Sequence, residues 1–124
     1  MSPLRTFLVD DSLPFLESAT RFLSGETGLE IIGRALSGRE AIEQIPLLYP
    51  DLVLMDLIMP GMNGLEATRQ IKQQANAPYV IILTLNDSNE YQMAAQAVGA
   101  DGFVSKLEFS TALISLIATF VKRL

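Results

Sequence analysis

Four short apolar runs of the sequence end in polar residues that could do chemistry. The residues at these ends are Asp10 and Asp11, Asp56, Thr84, and Lys106. Apolar runs of this length, bounded by turn residues, suit the strands of a parallel sheet that is covered on both faces. Ligands bind at the carboxyl edge of such a sheet. We therefore expect the three carboxylates, the hydroxyl and the amine to meet at one edge.

Carboxylates that meet in this way need a cation nearby. They repel one another and raise each other's pKa, and a divalent ion relieves the repulsion. Mg²⁺ suits the set best, because it binds one or two carboxylates and keeps waters that an incoming phosphate can replace. Asp56 could then act as a nucleophile and form an acyl phosphate, while Lys106 and Thr84 take phosphoryl oxygens. Alternatively, these residues could have a purely structural role as helix caps and ion pairs.

The composition excludes several other kinds of site. The 124 residues, 49% of them hydrophobic, fit one domain with a substantial core. A net charge of -5 and the lack of a basic run argue against a nucleic-acid surface. The absence of Cys excludes disulfides and thiolate metal sites, and the absence of His removes the commonest general base. With no signal-peptide pattern and no apolar stretch long enough to span a bilayer, we expect a cytoplasmic protein.

Strand and helix patterns alternate five times along the chain. Strands are predicted over 6–9, 29–35, 52–56, 79–84 and 102–106. The predicted helix starts are Ser12, Ser37, Asn63, the segment 87–90 and Ser110. This alternation predicts a single α/β domain over 1–124, with a parallel sheet, right-handed crossovers and helices on both faces.

Apolar spacing also predicts which faces of two helices are buried. The third helix should bury Leu65, Thr68, Ile71 and Ala75. The fourth should bury a face of small residues, Ala94, Ala97 and Val98, with Gly99 just past its end.

With these marks the chain resembles the receiver domain of two-component response regulators, over essentially all of its length. The marks are the acidic pair Asp10 and Asp11, then Asp56, Pro60 and Gly64 in the following loop, Thr84, Phe103 at an aromatic switch position, and Lys106. The resemblance implies a flavodoxin-like doubly wound sheet with strand order 2-1-3-4-5. It also implies a regulatory protein rather than an enzyme, limited to its own phosphorylation and dephosphorylation.

The resemblance assigns a role to each acidic residue. Asp56 would be the phosphoacceptor, with the phosphohistidine of a sensor histidine kinase as donor. Asp11 and Asp56 would bind Mg²⁺ directly, Asp10 would act mainly through water, and the backbone carbonyl of Ile58 would be a further ligand. Ile58 would also lie beside the path of an attacking water, so its apolar side chain predicts a long-lived phosphoryl group.

The remaining marks imply a switch. Thr84 and Lys106 would contact the phosphoryl group. Movement of the Thr84 hydroxyl towards it would let Phe103 rotate inward and reshape the face made by the fourth helix, fifth strand and fifth helix. A homodimer formed on phosphorylation would be one readout of that change.

Two positions depart from the commonest receiver pattern. Leu107 follows Lys106 where proline is usual, and Leu85 follows Thr84 where a very small residue is usual. A cis bond without proline costs about 2.5–4 kcal/mol, so we expect a trans peptide or local strain at Leu107. These departures resemble receivers of the nitrate-response class, which usually precede a helix-turn-helix domain. DNA would be contacted only through such an output domain, which this sequence does not contain.

Two alternative functions stay open at this point. A phosphatase of the haloacid-dehalogenase type uses similar residues, but its nucleophile follows the first strand in an Asp-x-Asp pattern, and here those acids are adjacent. A pseudo-receiver would serve as an interaction module that takes no phosphate. The full set of polar positions argues against the second alternative.

Overall fold

A computed structural model describes residues 3–26, 28–86 and 88–123, with side chains described up to Phe120. The strands are β1 Leu4–Val9, β2 Leu29–Ala35, β3 Leu52–Asp56, β4 Tyr79–Thr84 and β5 Gly102–Ser105. The helices are α1 Leu13–Ser24, α2 Gly38–Leu48, α3 Gly64–Lys72, α4 Asn89–Ala97 and α5 Phe109–Arg123, with a 3₁₀ turn over Lys106–Glu108. None of the helices in these ranges is long and apolar enough to cross a bilayer.

The strands form one parallel sheet in the order β2-β1-β3-β4-β5. This confirms the predicted flavodoxin-like topology. Successive side chains of a strand point to opposite faces, and in β3 both faces are covered because Leu52 through Asp56 are all buried. This burial on both faces explains why the sequences of the central strands are continuous apolar runs.

Each face of the sheet carries its own apolar core. Val53 and Met55 of β3 lie in the core with buried residues of α2 and α3. Leu52 and Leu54 lie in the other core with buried residues of α1 and α5. The alternation along β3 thus anchors the strand that ends in Asp56 from both sides.

The helix starts follow their capping residues. The side chains of Ser12, Ser37, Asn63 and Ser88 each accept a backbone N–H three residues further on. These bonds satisfy N–H groups that a helix leaves free at its start. Of the predicted cap segment 87–90, Asp87 lies outside the described residues.

The end of the fifth strand differs from the prediction. β5 ends at Ser105, so Lys106 does not belong to the strand, and α5 begins at Phe109 rather than Ser110. The reason is local, because the Ser105 hydroxyl accepts the N–H of Leu107 and starts a 3₁₀ turn. That turn leads directly into α5.

The predicted inner faces of α3 and α4 were partly wrong. α3 ends at Lys72, so Ala75 lies beyond it and is exposed. In α4 the buried residue is Ala95, whereas Ala97 is exposed. Tyr91, one turn before Ala95, packs against the core. The large apolar area of this ring favours the rotation of α4 that turns Tyr91 and Ala95 towards the core.

Candidate functional site

A cleft of about 550 Å³ opens at the carboxyl edge of the sheet. Its lining includes every polar residue singled out from the sequence, together with their neighbours: Asp10, Asp11, Ser12, Asp56, Ile58, Thr84, Leu85, Asn86 and Lys106. Three strands end at this cleft, and the 3₁₀ turn after β5 supplies the amine. The structure therefore brings the three carboxylates, the hydroxyl and the amine together.

The amine of Lys106 bridges two buried carboxylates. Its Nζ lies 2.7 Å from Oδ2 of Asp10 and 3.2 Å from Oδ1 of Asp56. Asp10 is 1% exposed and Asp56 is 6% exposed. The other oxygen of Asp10 accepts the backbone N–H of Ser12 at 2.9 Å. Sequence reasoning missed this direct pairing of Asp10 with Lys106, because nothing in the spacing indicates which acid the amine reaches.

Burial and neighbouring charges shift the pKa values of Asp56 and Lys106. Burial raises the pKa of Asp56 to about 6, with help from the charges of Asp10 and Asp11 and against the opposing effect of Lys106. Burial disfavours the charged amine of Lys106, but its hydrogen bond to Asp10 and the charges of Asp56 and Asp10 outweigh this and raise its pKa. Lys106 is therefore a cation at neutral pH, and the Asp56 carboxylate is charged at some electrostatic cost.

The three acids also fit a hard metal ion. One carboxylate oxygen from each of Asp10, Asp11 and Asp56 can be chosen so that all lie within 4.8 Å of one another. Asp11 is exposed, so an ion could keep waters on that side. Burial, and after it the charges of Asp10 and Asp11, raise the pKa of Asp56, and a bound cation would offset both effects. Ile58 lines the same cleft with a side chain that is 56% exposed.

The hydroxyl of Thr84 lies in the cleft with a partner of its own. Thr84 is 2% exposed, and its Oγ1 accepts the N–H of Asn86 at 2.9 Å. This local bond orders the turn after β4. A hydroxyl can accept one bond and still donate another, so the hydroxyl proton stays available to the cleft.

A tight loop fixes the end of β3. The N–H of Gly64 donates to the carbonyl of Leu57 at 2.8 Å. A Cβ atom at Gly64 would overlap the backbone carbonyl of Asp56. Glycine is therefore required where α3 starts beside the strand end, which explains why Gly64 belongs to the pattern.

The residue after Lys106 forms a trans peptide, as expected. No cis peptide occurs among the described residues. The N–H of Leu107 donates to the Ser105 hydroxyl at 3.2 Å, which a proline could not do. The Leu107 side chain is 83% exposed. The departure from proline thus produces a hydrogen-bonded 3₁₀ turn.

Phe103 lies apart from the cleft. It is half-buried and packs against the core on the α2–α3 face. It also lines a small cavity of about 140 Å³ beside α4, together with Ala95 and Gln96. Its neighbour in β4 is Ile82, two residues before Thr84.

Comparison with known proteins gives a consistent result. A family model described as the response regulator receiver domain matches residues 6–118. The protein-glutamate methylesterase/protein-glutamine glutaminase of Geobacillus kaustophilus (strain HTA426) is 40% identical over 107 residues, which are 86% of this chain and 31% of that protein. The transcriptional regulatory protein DegU of Brevibacillus brevis is 32% identical over 114 residues, which are 92% of this chain and 48% of that protein.

A solved structure is similar over nearly the whole chain. A two-component response regulator of the LuxR family from Aurantimonas sp. SI85-9A1 has a TM-score of 0.91 and 31% sequence identity, and the match covers 98% of this chain and 86% of that one. The chain spans about a third to a half of the length of the two curated relatives above.

Proposed function

Because the chain belongs to the response regulator receiver family, we propose that it accepts a phosphoryl group on the carboxylate of Asp56. The observation that carries this proposal is the buried bridge from Lys106 to Asp10 and Asp56. It holds a cation beside a carboxylate whose pKa is raised to about 6. Such a carboxylate is ionised at neutral pH and is more basic than an ordinary one, which favours nucleophilic attack.

The reaction is a transfer from a phosphorylated donor. A carboxylate oxygen of Asp56 attacks phosphorus, the bond from phosphorus to the donor atom breaks, and the leaving group departs with the bonding pair. For a sensor histidine kinase that atom is the imidazole nitrogen of phosphohistidine. Lys106 and the Thr84 hydroxyl each take one phosphoryl oxygen, and Asp10 keeps the ammonium in place. These residues position groups and neutralise charge, which is what phosphoryl transfer requires of a protein.

Asp11 and Asp56 would hold Mg²⁺ directly, with Asp10 acting mainly through water and the backbone carbonyl of Ile58 as a further ligand. When bound there, Mg²⁺ supplies Lewis-acid neutralisation of charge on the phosphoryl oxygens. The oxygen spacing of the three acids supports this assignment.

In this proposal the chain is a cytoplasmic regulator, and its chemistry is limited to its own phosphorylation and dephosphorylation. The curated relatives are longer proteins, one a methylesterase/glutaminase and one a transcriptional regulator. The output would therefore come from a further domain or from a partner. Any contact with DNA would be made through such a domain, and phosphorylation would favour a homodimer.

The phosphorylated state would be read through Thr84 and Phe103. The Thr84 hydroxyl would turn from its present surroundings towards the phosphoryl group, and Phe103 would rotate into the space beside β4. The cavity that Phe103 already lines beside α4 supports movement in this region. Structures with and without beryllofluoride and Mg²⁺ test this, and an unchanged Phe103 rotamer and α4 position would refute the switch.

The proposed reaction is tested by incubating the chain with acetyl phosphate and Mg²⁺ and measuring its intact mass. We expect one phosphoryl group on the wild type and none on Asp56→Ala. A wild type that stays unmodified would favour the pseudo-receiver alternative. Steady turnover of a generic phosphate ester would favour the phosphatase alternative instead.

A further inference from the structure

An aromatic ring lies against the amine of the site. The Nζ of Lys106 is 4.3 Å from the centroid of the Phe15 ring in α1. A cation within about 6 Å of a ring centroid is attracted by the negative face of the ring. The Lys106 side chain is only 12% exposed, so water screens this contact little.

The ring is the third group that the structure places against the ammonium, after the carboxylates of Asp10 and Asp56. An ammonium group has three N–H donors on a flexible four-carbon stem. The two carboxylates hold the amine by charge and hydrogen bonding. The ring covers a further direction and restricts where the amine can move.

One ring, that of Phe109, packs directly on Phe15. Phe109, the first residue of α5, meets Phe15 edge to face at 5.7 Å between centroids. Phe22, two turns further along α1, meets Phe109 at 5.4 Å. The Phe22–Phe109 pair is tilted, at 56° between ring planes, whereas the edge-to-face geometry of Phe15 and Phe109 is favourable beyond the area the pair buries. The ring of Phe15, on α1, is thus braced by Phe109 of α5.

The brace and the amine also belong to one short segment. The backbone N–H of Phe109 donates to the carbonyl of Lys106 at the end of the 3₁₀ turn. The segment 106–109 therefore provides both the cation and the ring that holds Phe15. A shift of the amine and a shift of the start of α5 are linked through this turn.

From this geometry we propose that Phe15 is a positioning residue for phosphorylation, whose ring face holds the Lys106 ammonium where it meets the phosphoryl group on Asp56. This inference rests on the proposed function. In this role the ring acts through Lys106, which it meets at 4.3 Å. Phe22 shares the aromatic stack but is placed against Phe109 rather than the ammonium, so it is the matched control.

The test replaces Phe15 with trifluorophenylalanine, which keeps the shape of the ring and weakens its negative face. Phosphorylation by acetyl phosphate with Mg²⁺ is followed by intact mass over time. We expect the rate to fall roughly three- to tenfold, the effect of weakening a partly desolvated cation–π contact. The same replacement at Phe22 should leave the rate unchanged, and Phe15→Tyr should restore it. Equal rates for the proteins fluorinated at 15 and at 22 would overturn the proposal.

A second measurement keeps this proposal separate from the proposed function. In the unmodified wild type, nuclear Overhauser cross-peaks should join the Phe15 ring protons to the ε-methylene of Lys106, whose protons should be shifted upfield by the ring. Absence of both signals would overturn the role of Phe15 whether or not Asp56 is phosphorylated. If the signals are present but the wild type accepts no phosphoryl group, the proposed function fails, and with it a role for the contact in phosphorylation.

Discussion

Lys106 lies closer to Asp10 than to Asp56, with Nζ–oxygen distances of 2.7 and 3.2 Å. The amine is therefore anchored on Asp10, which the Ser12 N–H holds from its other oxygen. Lys106 lowers the pKa of Asp56 only in part, because burial and the charges of Asp10 and Asp11 still raise it to about 6. This arrangement leaves Asp56 as the carboxylate of the bridge that is available for a new partner.

The first prediction concerns the stability of Asp56→Asn. The folded state holds the Asp56 proton more tightly than an ordinary carboxyl does, with a pKa of about 6 against 3.8. Protonation therefore stabilises the fold, and that contribution is lost as the pH rises through about 6. Without Mg²⁺ at neutral pH, we expect Asp56→Asn to raise the free energy of unfolding by up to about 3 kcal/mol, since the pKa rises from 3.8 to about 6 and each pKa unit is worth about 1.4 kcal/mol.

Urea unfolding at several pH values measures this effect. The advantage of the asparagine should shrink as the pH falls and disappear below about pH 4, where the carboxyl of the wild type is neutral in both states. An Asp56→Asn protein that is less stable than the wild type at neutral pH would contradict the account.

The second prediction concerns Mg²⁺ and pH. Metal ligands must be deprotonated to bind, so protons and Mg²⁺ compete for Asp56. Below about pH 6 the affinity for Mg²⁺ should fall on the order of tenfold per pH unit, as expected for one displaced proton. Calorimetric titration between mildly acidic and mildly alkaline pH measures this. An affinity that does not change through about pH 6 would exclude Asp56 as a titrating ligand.

The parallel sheet, its carboxyl edge and the polar residues at that edge could be predicted from the residues, and the strand order from the resemblance to receiver domains. Apolar runs such as 52–56 and 79–84 are short and bounded by turn residues, so their pattern predicts strands of a parallel sheet that is covered on both faces. The partners of individual side chains could not be predicted. The attachment of Lys106 to Asp10 depends on a difference of a few tenths of an ångström, which residue types and spacing do not encode.

The contact between Phe15 and Lys106 also could not be predicted from the sequence. Phe15 belongs to the apolar face of α1, and spacing alone gives it an ordinary packing role. Its second role arises because the 3₁₀ turn after β5 brings the amine over the ring. The turn in turn depends on the Ser105 hydroxyl and the Leu107 N–H. The inner face of α4 was misplaced for a similar reason, because Tyr91 packs inward in a helix with few other large residues.

The third prediction compares Gly61, in the loop after β3, with Gly64, the first residue of α3. Gly64→Ala would drive its Cβ into the backbone carbonyl of Asp56. We expect a loss of about 3 kcal/mol of unfolding free energy, the upper part of the usual range for overpacking, because backbone cannot move aside as a side chain can. Gly61 has a φ of 76° but open space around it, so Gly61→Ala should cost only about 1 kcal/mol of backbone strain. Thermal unfolding of both variants measures the contrast, and equal losses would contradict it.

The fourth prediction concerns the lifetime of the phosphoryl group. Ile58 lines the cleft with an apolar side chain, and the only polar group it offers the cleft is its backbone. Ile58→Asn would place an amide there that can orient an attacking water. Because a positioned reactant meets a lower barrier, dephosphorylation should be about tenfold faster. Leu36→Asn is the matched control, because Leu36 is a similarly exposed apolar residue that does not line the cleft. Radiolabel decay measures both, and equal half-lives for the two variants would refute the role of Ile58.

The claim that Asp56 is the phosphoacceptor can be tested at the level of the single residue. After treatment with acetyl phosphate and Mg²⁺, borohydride reduces an acyl phosphate to an alcohol, which converts the modified aspartate to homoserine. Peptide mass spectrometry then identifies the position. We expect homoserine at position 56 and unmodified aspartate at positions 10 and 11. Homoserine at either of those acids, or none in the chain, would contradict the claim.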